Sequence, residues 1–215
     1  NIGGGITTCR FDPTPYQDLV PKSDSGSIFG KGAVKITNDM VLSGEYFFSR
    51  NKVITNIGPV PQTGLTMTRS SPFFPGNGIT PLPSNFTLDP SLPIDVAWRA
   101  TAAGGRQGTD ENSNQRFVLQ LEGAAAGWDY NTAATWNRTK LTSKLTGGYS
   151  NDSLIAAGVS DGILNPFRPQ TAAGLAYLQD AAFGGVLQTG KGTVYGLDGR
   201  ASREIGDWLG AGRQA

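Results

Sequence analysis

The sequence contains no histidine. That absence excludes Ser-His-Asp and Cys-His catalysis, and with them every metal site built on imidazole. It contains one cysteine, Cys9, so no disulfide forms within the chain. With no histidine to activate it, that thiol reads as buried or idle rather than nucleophilic. Charge is scarce: Asp, Glu, Lys and Arg are 16% of the 215 residues, against about 25% in ordinary soluble domains. Net charge is +1, which removes the electrostatic case for nucleic acid or a strongly acidic partner. No run of about 18 apolar residues occurs, so no membrane-spanning helix is expected. No basic segment followed by an apolar core opens the chain, so no signal peptide is expected either. Neither absence bears on a membrane β-barrel, whose short alternating strands give a weak signal each.

What is abundant is glycine, 30 residues, and alternation. From Gly26 to Lys52 one parity carries Ile28, Gly30, Gly32, Val34 and Ile36, then Met40, Leu42, Gly44, Tyr46 and Phe48. The other carries Ser27, Phe29, Lys31, Ala33 and Lys35, then Val41, Ser43, Glu45, Phe47, Ser49 and Asn51. A period of two over this length predicts two strands, 27–36 and 40–53, joined by the turn Thr37-Asn38-Asp39. That register sets Lys31 against Glu45 as a cross-strand ion pair. It also sets Tyr46 against Gly30, an aromatic covering a strand glycine. A second hairpin spans Gln115 to Leu141. Phe117, Leu119 and Leu121 share a face opposite Arg116, Val118, Gln120 and Glu122, and Gly123 to Gly127 forms a small-residue turn. Trp128, Tyr130, Thr132, Ala134 and Trp136 then alternate with Asp129, Asn131, Ala133, Thr135 and Asn137. Further alternation marks 94–99 and 193–205, and another turn is expected over Gly206 to Gly212.

Two long stretches, Asn56 to Pro93 and Leu141 to Lys191, show no such pattern and read as irregular loops. The first holds most of the prolines. Within the second, Thr171 to Phe183 suits a short helix with Thr171 as N-cap and Gly184 as C-cap. Short turns at one end of the strands and long loops at the other is the plan of an outer-membrane barrel. The uncharged parity suits lipid, the charged one a wet lumen, and Trp128 and Tyr130 fall where an aromatic girdle lies. A soluble antiparallel sandwich also alternates with one polar face. Loop asymmetry, glycine content and low charge favour the barrel.

Several segments carry a resemblance. They are Ile28-Phe29-Gly30-Lys31 with Glu45-Tyr46-Phe47-Phe48-Ser49-Arg50-Asn51, Ser71-Pro72-Phe73-Phe74-Pro75, and Trp98-Arg99 followed by Gly105-Arg106. They continue with Glu122-Gly123 and Gly127-Trp128-Asp129-Tyr130, Gly162-Ile163-Leu164-Asn165-Pro166-Phe167, and Asp198-Gly199-Arg200-Ala201-Ser202-Arg203-Glu204. In this order they resemble the barrel region of TonB-dependent receptors of proteobacteria, over nearly the whole chain. The resemblance implies an outer-membrane transporter of a Gram-negative bacterium, surrounded by outer-membrane lipid. Such a transporter takes up a scarce solute (an iron chelate, vitamin or oligosaccharide) with energy supplied by the TonB complex. The family's plug domain and TonB box have no counterpart in residues 1–215. Its barrel has about 22 strands, and about four to five are legible here. The fold expectation is therefore all-β: an antiparallel transmembrane β-barrel segment with long extracellular loops, one holding a short helix, from the middle of a longer protein. The alternative is a soluble or surface β-sandwich that binds glycan or protein through its long loops.

No complete catalytic constellation can be assembled, so no enzyme, cofactor or resident metal is expected. The lumen-lining candidates are Lys31, Glu45, Arg116, Glu122, Asp129, Asp198 and Arg200. Lys31, Lys35, Arg116 and Arg200 read as partners of Glu45, Glu122, Asp198 and Glu204 in a structural network, individually weak, rather than as a path for an anion. Gly185 to Gly192 nearly matches a phosphate-binding loop, but Gly192 stands where a hydroxyl is needed and a strand pattern follows. It reads as a loop tip. Asp110, Glu111, Asp152 and Asp161 read as solvated loop carboxylates. Asn85, Asn137 and Asn151 head glycosylation tripeptides of little meaning in a bacterial outer membrane.

Overall fold

The computed structural model describes residues 11–82, 84, 87–89, 91–204 and 206. Cys9, Asn85 and all but the first residue of the turn expected at 206–212 lie outside the described residues. The strands are β1 (Lys22–Thr37), β2 (Met40–Ile57), β3 (Pro61–Met67), β4 (Ile94–Arg99), β5 (Arg106–Ala125), β6 (Trp128–Ser150) and β7 (Ala182–Ser202). Two helices, α1 (Asp152–Ser160) and α2 (Ala172–Asp180), lie between β6 and β7. Strands hold 59% of the residues, far above the usual 20–25%; the fold is antiparallel and all-β. Five strands form one sheet in the order β1-β2-β5-β6-β7, and β3 pairs with β4 in a second. Every neighbour in the large sheet is the next large strand along the chain. Among the described residues that sheet does not close, and β1 and β7 are its edges. No helix among them is long and apolar enough to cross a membrane.

The chain divides into two compact units. One comprises Ser23–Val53, Asp110–Ser143 and Gln188–Ala215. Its strands were anticipated in place but not in extent. The first turn holds two residues, Asn38 and Asp39, because Thr37 continues β1 and its hydroxyl accepts the Asp39 amide at 3.3 Å. The Lys31–Glu45 pair forms at 2.7 Å. The aromatic cover does not, because a Cβ on Gly30 would meet nothing within 4 Å. The second turn also shrinks, to Ala126 and Gly127, both at positive φ (53° and 76°). That is the twist a two-residue hairpin loop requires. The register it sets places Asn114 opposite Thr139, and their side chains are hydrogen-bonded at 3.0 Å.

The other unit comprises Asn1–Lys22, Ile54–Thr109 and Lys144–Leu187. The stretches expected to be irregular are largely structured here. The proline-rich segment contains β3, antiparallel to β4 with Met67 opposite Ile94 and an irregularity between Gln62 and Leu65. The stretch 141–191 contains the end of β6, both helices and the start of β7. Polar, non-alternating sequence hid these elements. Asn151 caps α1, its side-chain oxygen accepting the amides of Ser153 (3.0 Å) and Leu154 (3.3 Å), so the tripeptide it heads is a helix start. Thr171 caps α2 as expected, through the Gly174 amide at 3.0 Å. The helix ends at Asp180 with Ala181 as C-cap, and Gly184 belongs to β7 instead.

The buried cluster of the protein lies in this unit. Leu65 and Met67 of β3, Val96 of β4, Phe73 and Phe74, Ile155 and Val159 of α1, Leu164, Leu178 of α2 and Ala181 pack together. Ile155 and Val159, four residues apart, share one helix face. Tyr177 of α2 donates its hydroxyl to the Leu154 carbonyl at 2.9 Å, tying the helices. The segments 71–75 and 162–167 belong here. Ser71 accepts the Phe73 amide through its hydroxyl (3.3 Å). Buried Asn165 accepts the amides of Phe167 (3.0 Å) and Arg168 (3.2 Å). Replacing Ile155 by alanine should cost about 2–5 kcal/mol, read as loss of hydrogen-exchange protection across β3, α1 and α2 at lower denaturant. Asn151→Ala should cost about 1 kcal/mol, with the first α1 amides the earliest to exchange.

Candidate functional site: the charged face of the large sheet

The sheet has two unlike faces, and alternation along each strand decides which side chain goes where. A small cleft of about 270 Å³ is lined by Phe29, Glu45, Phe47, Arg116 and Val118. Odd residues of β1 and β2 and even residues of β5 thus share one face. A larger cleft, of about 640 Å³, brings together Val41, Glu122, Asp129, Asn131, Asp198 and Arg200, with the turn residues Asn38 and Asp39 at its rim. The same face therefore continues through odd residues of β6 and even residues of β7. With Lys31 bonded to Glu45, all seven lumen-lining candidates fall on this side: Lys31, Glu45 and Arg116 at one cleft, and Glu122, Asp129, Asp198 and Arg200 at the other.

The expected network of ion pairs is smaller than anticipated. Lys31–Glu45 is the member formed among the described residues. Both partners are partly exposed, and such pairs contribute less than about 1 kcal/mol. Glu122, Asp129, Asp198 and Arg200 line one cleft without a direct ion pair there. Neighbouring strands lie about 4.8 Å apart, so Glu122 on β5 and Arg200 on β7, two strands away, exceed contact distance. Asp129 lies on the strand next to Arg200 and Asp198 two residues from it on the same strand, and neither bonds it. The Asp198 backbone carbonyl is held by the Thr132 hydroxyl at 2.8 Å. What the face offers is a wet surface of mixed sign with separated cationic and anionic groups.

The opposite parity is uncharged from Met40 to Phe48 and then changes. Arg50 and Lys52 follow on the same side, pairing with Glu111 of β5 at 3.4 and 4.0 Å. Asp110 and Glu111 are thus strand residues, not loop carboxylates. Asp152 opens α1 and accepts from buried Gln62 at 3.2 Å, and Asp161 ends that helix. Among the described residues no group of three His, Cys, Asp or Glu could hold a metal ion. Gly185 to Gly192 lies inside β7, an extended strand rather than a loop tip, with no nest of amides for a phosphate. At the other end of the uncharged side, Arg203 stacks its guanidinium over Trp128 at 5.9 Å. Ile28, Val34, Ile36, Phe117, Leu119 and Trp128 are between 41% and 66% exposed, so none of the described residues buries them.

Comparison with protein-family models, with curated proteins and with solved structures found no match. The site's geometry therefore stands without a relative to interpret it. Gly123 forms part of the floor of the larger cleft, and a Cβ there would meet the Asp39 carbonyl at 2.5 Å and the Tyr130 hydroxyl at 2.8 Å. Asp39 is fixed at that place, since its carbonyl accepts the Ala124 amide at 3.0 Å. Gly123→Val should destabilise by about 1–3 kcal/mol through overpacking, measured as a lower denaturation midpoint.

Proposed function

We propose that the chain is a wall segment of an outer-membrane β-barrel transporter of the TonB-dependent receptor type. It serves uptake of a scarce small solute across the outer membrane of a Gram-negative bacterium. The observation that carries this reading is the uncovered, uncharged face of a single-layered sheet whose other face is charged. A soluble fold removes such a face from water beneath a second layer; hydrocarbon does the same work for a barrel.

Dimensions support the reading. From Met40 to Phe48 the uncharged side runs about 27 Å at about 3.4 Å per residue. A strand tilt of about 40° reduces that to about 21 Å, close to the ~25 Å apolar band of such barrels. The strands of the large sheet run from 16 residues in β1 to 23 in β6. A membrane crossing needs about 9–11, and strands of soluble domains rarely exceed about 10. The meander order of the large sheet is that of an up-and-down barrel.

In this reading the edges β1 and β7 pair with further strands of a longer protein, because an unpaired edge in hydrocarbon leaves backbone groups unsatisfied. The charged face lines the lumen, with Lys31, Glu45, Arg116, Glu122, Asp129, Asp198 and Arg200 along the solute path. The TonB complex engages a part of the protein outside these strands. Expression without detergent tests the class: the chain should aggregate and become monodisperse only in detergent micelles. A monodisperse monomer in plain buffer overturns the membrane reading and favours a surface β-sandwich. Val34→Lys with Leu119→Lys should shift the chain out of the detergent phase in a partitioning assay. Each charge placed in the apolar band costs about 2–4 kcal/mol at the midplane.

A further inference from the structure

We propose that the unit carrying the helices binds a neutral sugar or polyol, in a cleft of about 490 Å³ lined by Tyr16, Asp18, Asn56, Gly105, Gln107 and Gly148. Asn56 stands on the even parity of β2 and Gln107 on the odd parity of β5, the parity of Arg50, Lys52 and Glu111 and not that of the lumen candidates. The proposal is therefore a binding site that goes beyond the transport reading and does not name the transported solute. The volume falls within the ~300–1,000 Å³ of small-molecule sites.

The polar side chains of the cleft hold one another in a fixed chain. Asn56 donates through Nδ2 to Asp18 Oδ2 at 2.7 Å. Gln107 donates through Nε2 to Asn56 Oδ1 at 2.9 Å. Thr146 donates its hydroxyl to Gln107 Oε1 at 3.0 Å. This chain orients each group and leaves capacity to spare. Each amide nitrogen keeps a second N–H, and the Asp18 carboxylate keeps its Oδ1. Donors and an acceptor therefore alternate over a short distance on side chains already ordered, so binding immobilises little. A hydroxyl both donates and accepts, and neighbouring hydroxyls of a sugar ring match such an array.

The rest of the lining selects against other solutes. Among the described residues Asp18 is the one charged group of the lining, so an anionic chelate meets a carboxylate there. Tyr16 supplies the apolar wall. Its ring is propped on Phe11, with centroids 5.8 Å apart, and aromatic rings of this kind pack the C–H face of a sugar while the phenol hydroxyl bonds its edge. Gly105 lies against the Tyr16 ring, where a Cβ would come within 3.3 Å of Tyr16 Cδ1. Gly148 has φ +69°, and a Cβ there would overlap the Gly105 carbonyl.

The test titrates the full chain, solubilised in detergent, against an array of neutral oligosaccharides and against ferric citrate as an anionic chelate. At least one neutral glycan should bind and ferric citrate should not. Asp18→Ala should weaken glycan binding about tenfold or more, the scale of a lost charge-assisted hydrogen bond. Asp18 is exposed, so the variant should keep the circular dichroism of the parent. Tyr16→Ala should abolish binding and Tyr16→Phe should retain most of it. Absence of any neutral ligand overturns the proposal, as does glycan binding indifferent to both Asp18→Ala and Tyr16→Ala. Failure here in a detergent-dependent chain leaves the barrel reading standing. Glycan binding by a chain monodisperse in plain buffer overturns the barrel reading alone.

Discussion

An uncharged sheet face has to be withdrawn from water, and in this protein the described residues do not do it. Ile28, Val34, Ile36, Phe117, Leu119 and Trp128 stay exposed, while the residues that pack into a buried cluster come from β3, β4, the two helices and the segments around Phe73 and Leu164. At about 25 cal/mol per Å², leaving a face of this kind in water would forgo much of the stabilisation a sheet of this size has available. The scarcity of charge, the long strands and the meander order all become intelligible once hydrocarbon is the medium on that side. The backbone imposes the same demand at β1 and β7, whose outer edges have no neighbour in the sheet among the described residues.

The opposite face obeys a different rule. In the proposed barrel water and solute are its neighbours, and charges of both signs are tolerated there without close partners. Glu122, Asp129, Asp198 and Arg200 share one cleft without a direct ion pair there, where a tightly paired network would have closed the surface to anything else. A conduit of mixed sign suits passage. On the other parity of β2 and β5, the preorganised chain of Asp18, Asn56 and Gln107 suits recognition, because its spare valences are few and fixed.

Much of this was legible along the chain and some was not. Alternation assigned the parity of every lumen candidate, because a strand's side-chain period is two whatever surrounds it. The Lys31–Glu45 pair followed from the same count. Turn lengths were misjudged at Thr37 and at Gly123 to Ala125, because strand backbone continues wherever a neighbour offers hydrogen bonds. β5 from Arg106 to Asn114 and β7 from Ala182 to Gly192 carry no clean alternation for that reason. They are ordered by pairing rather than by burial of one face. The helix α1 was missed because Asn151-Asp152-Ser153 reads as a surface tripeptide until its side chain is seen accepting two amides.

The order of residues alone dictated which side chains share a sheet face, where Thr171 starts a helix, and that histidine and disulfide chemistry are absent. These depend on local geometry and on composition, and both are present in the chain before it folds. Folding in three dimensions brought Leu65, Phe74, Ile155 and Leu178 into one cluster from segments far apart in sequence. It also set Asn56 beside Asp18 and Gln107. Contacts of that separation depend on which segments meet, and no local period carries that information.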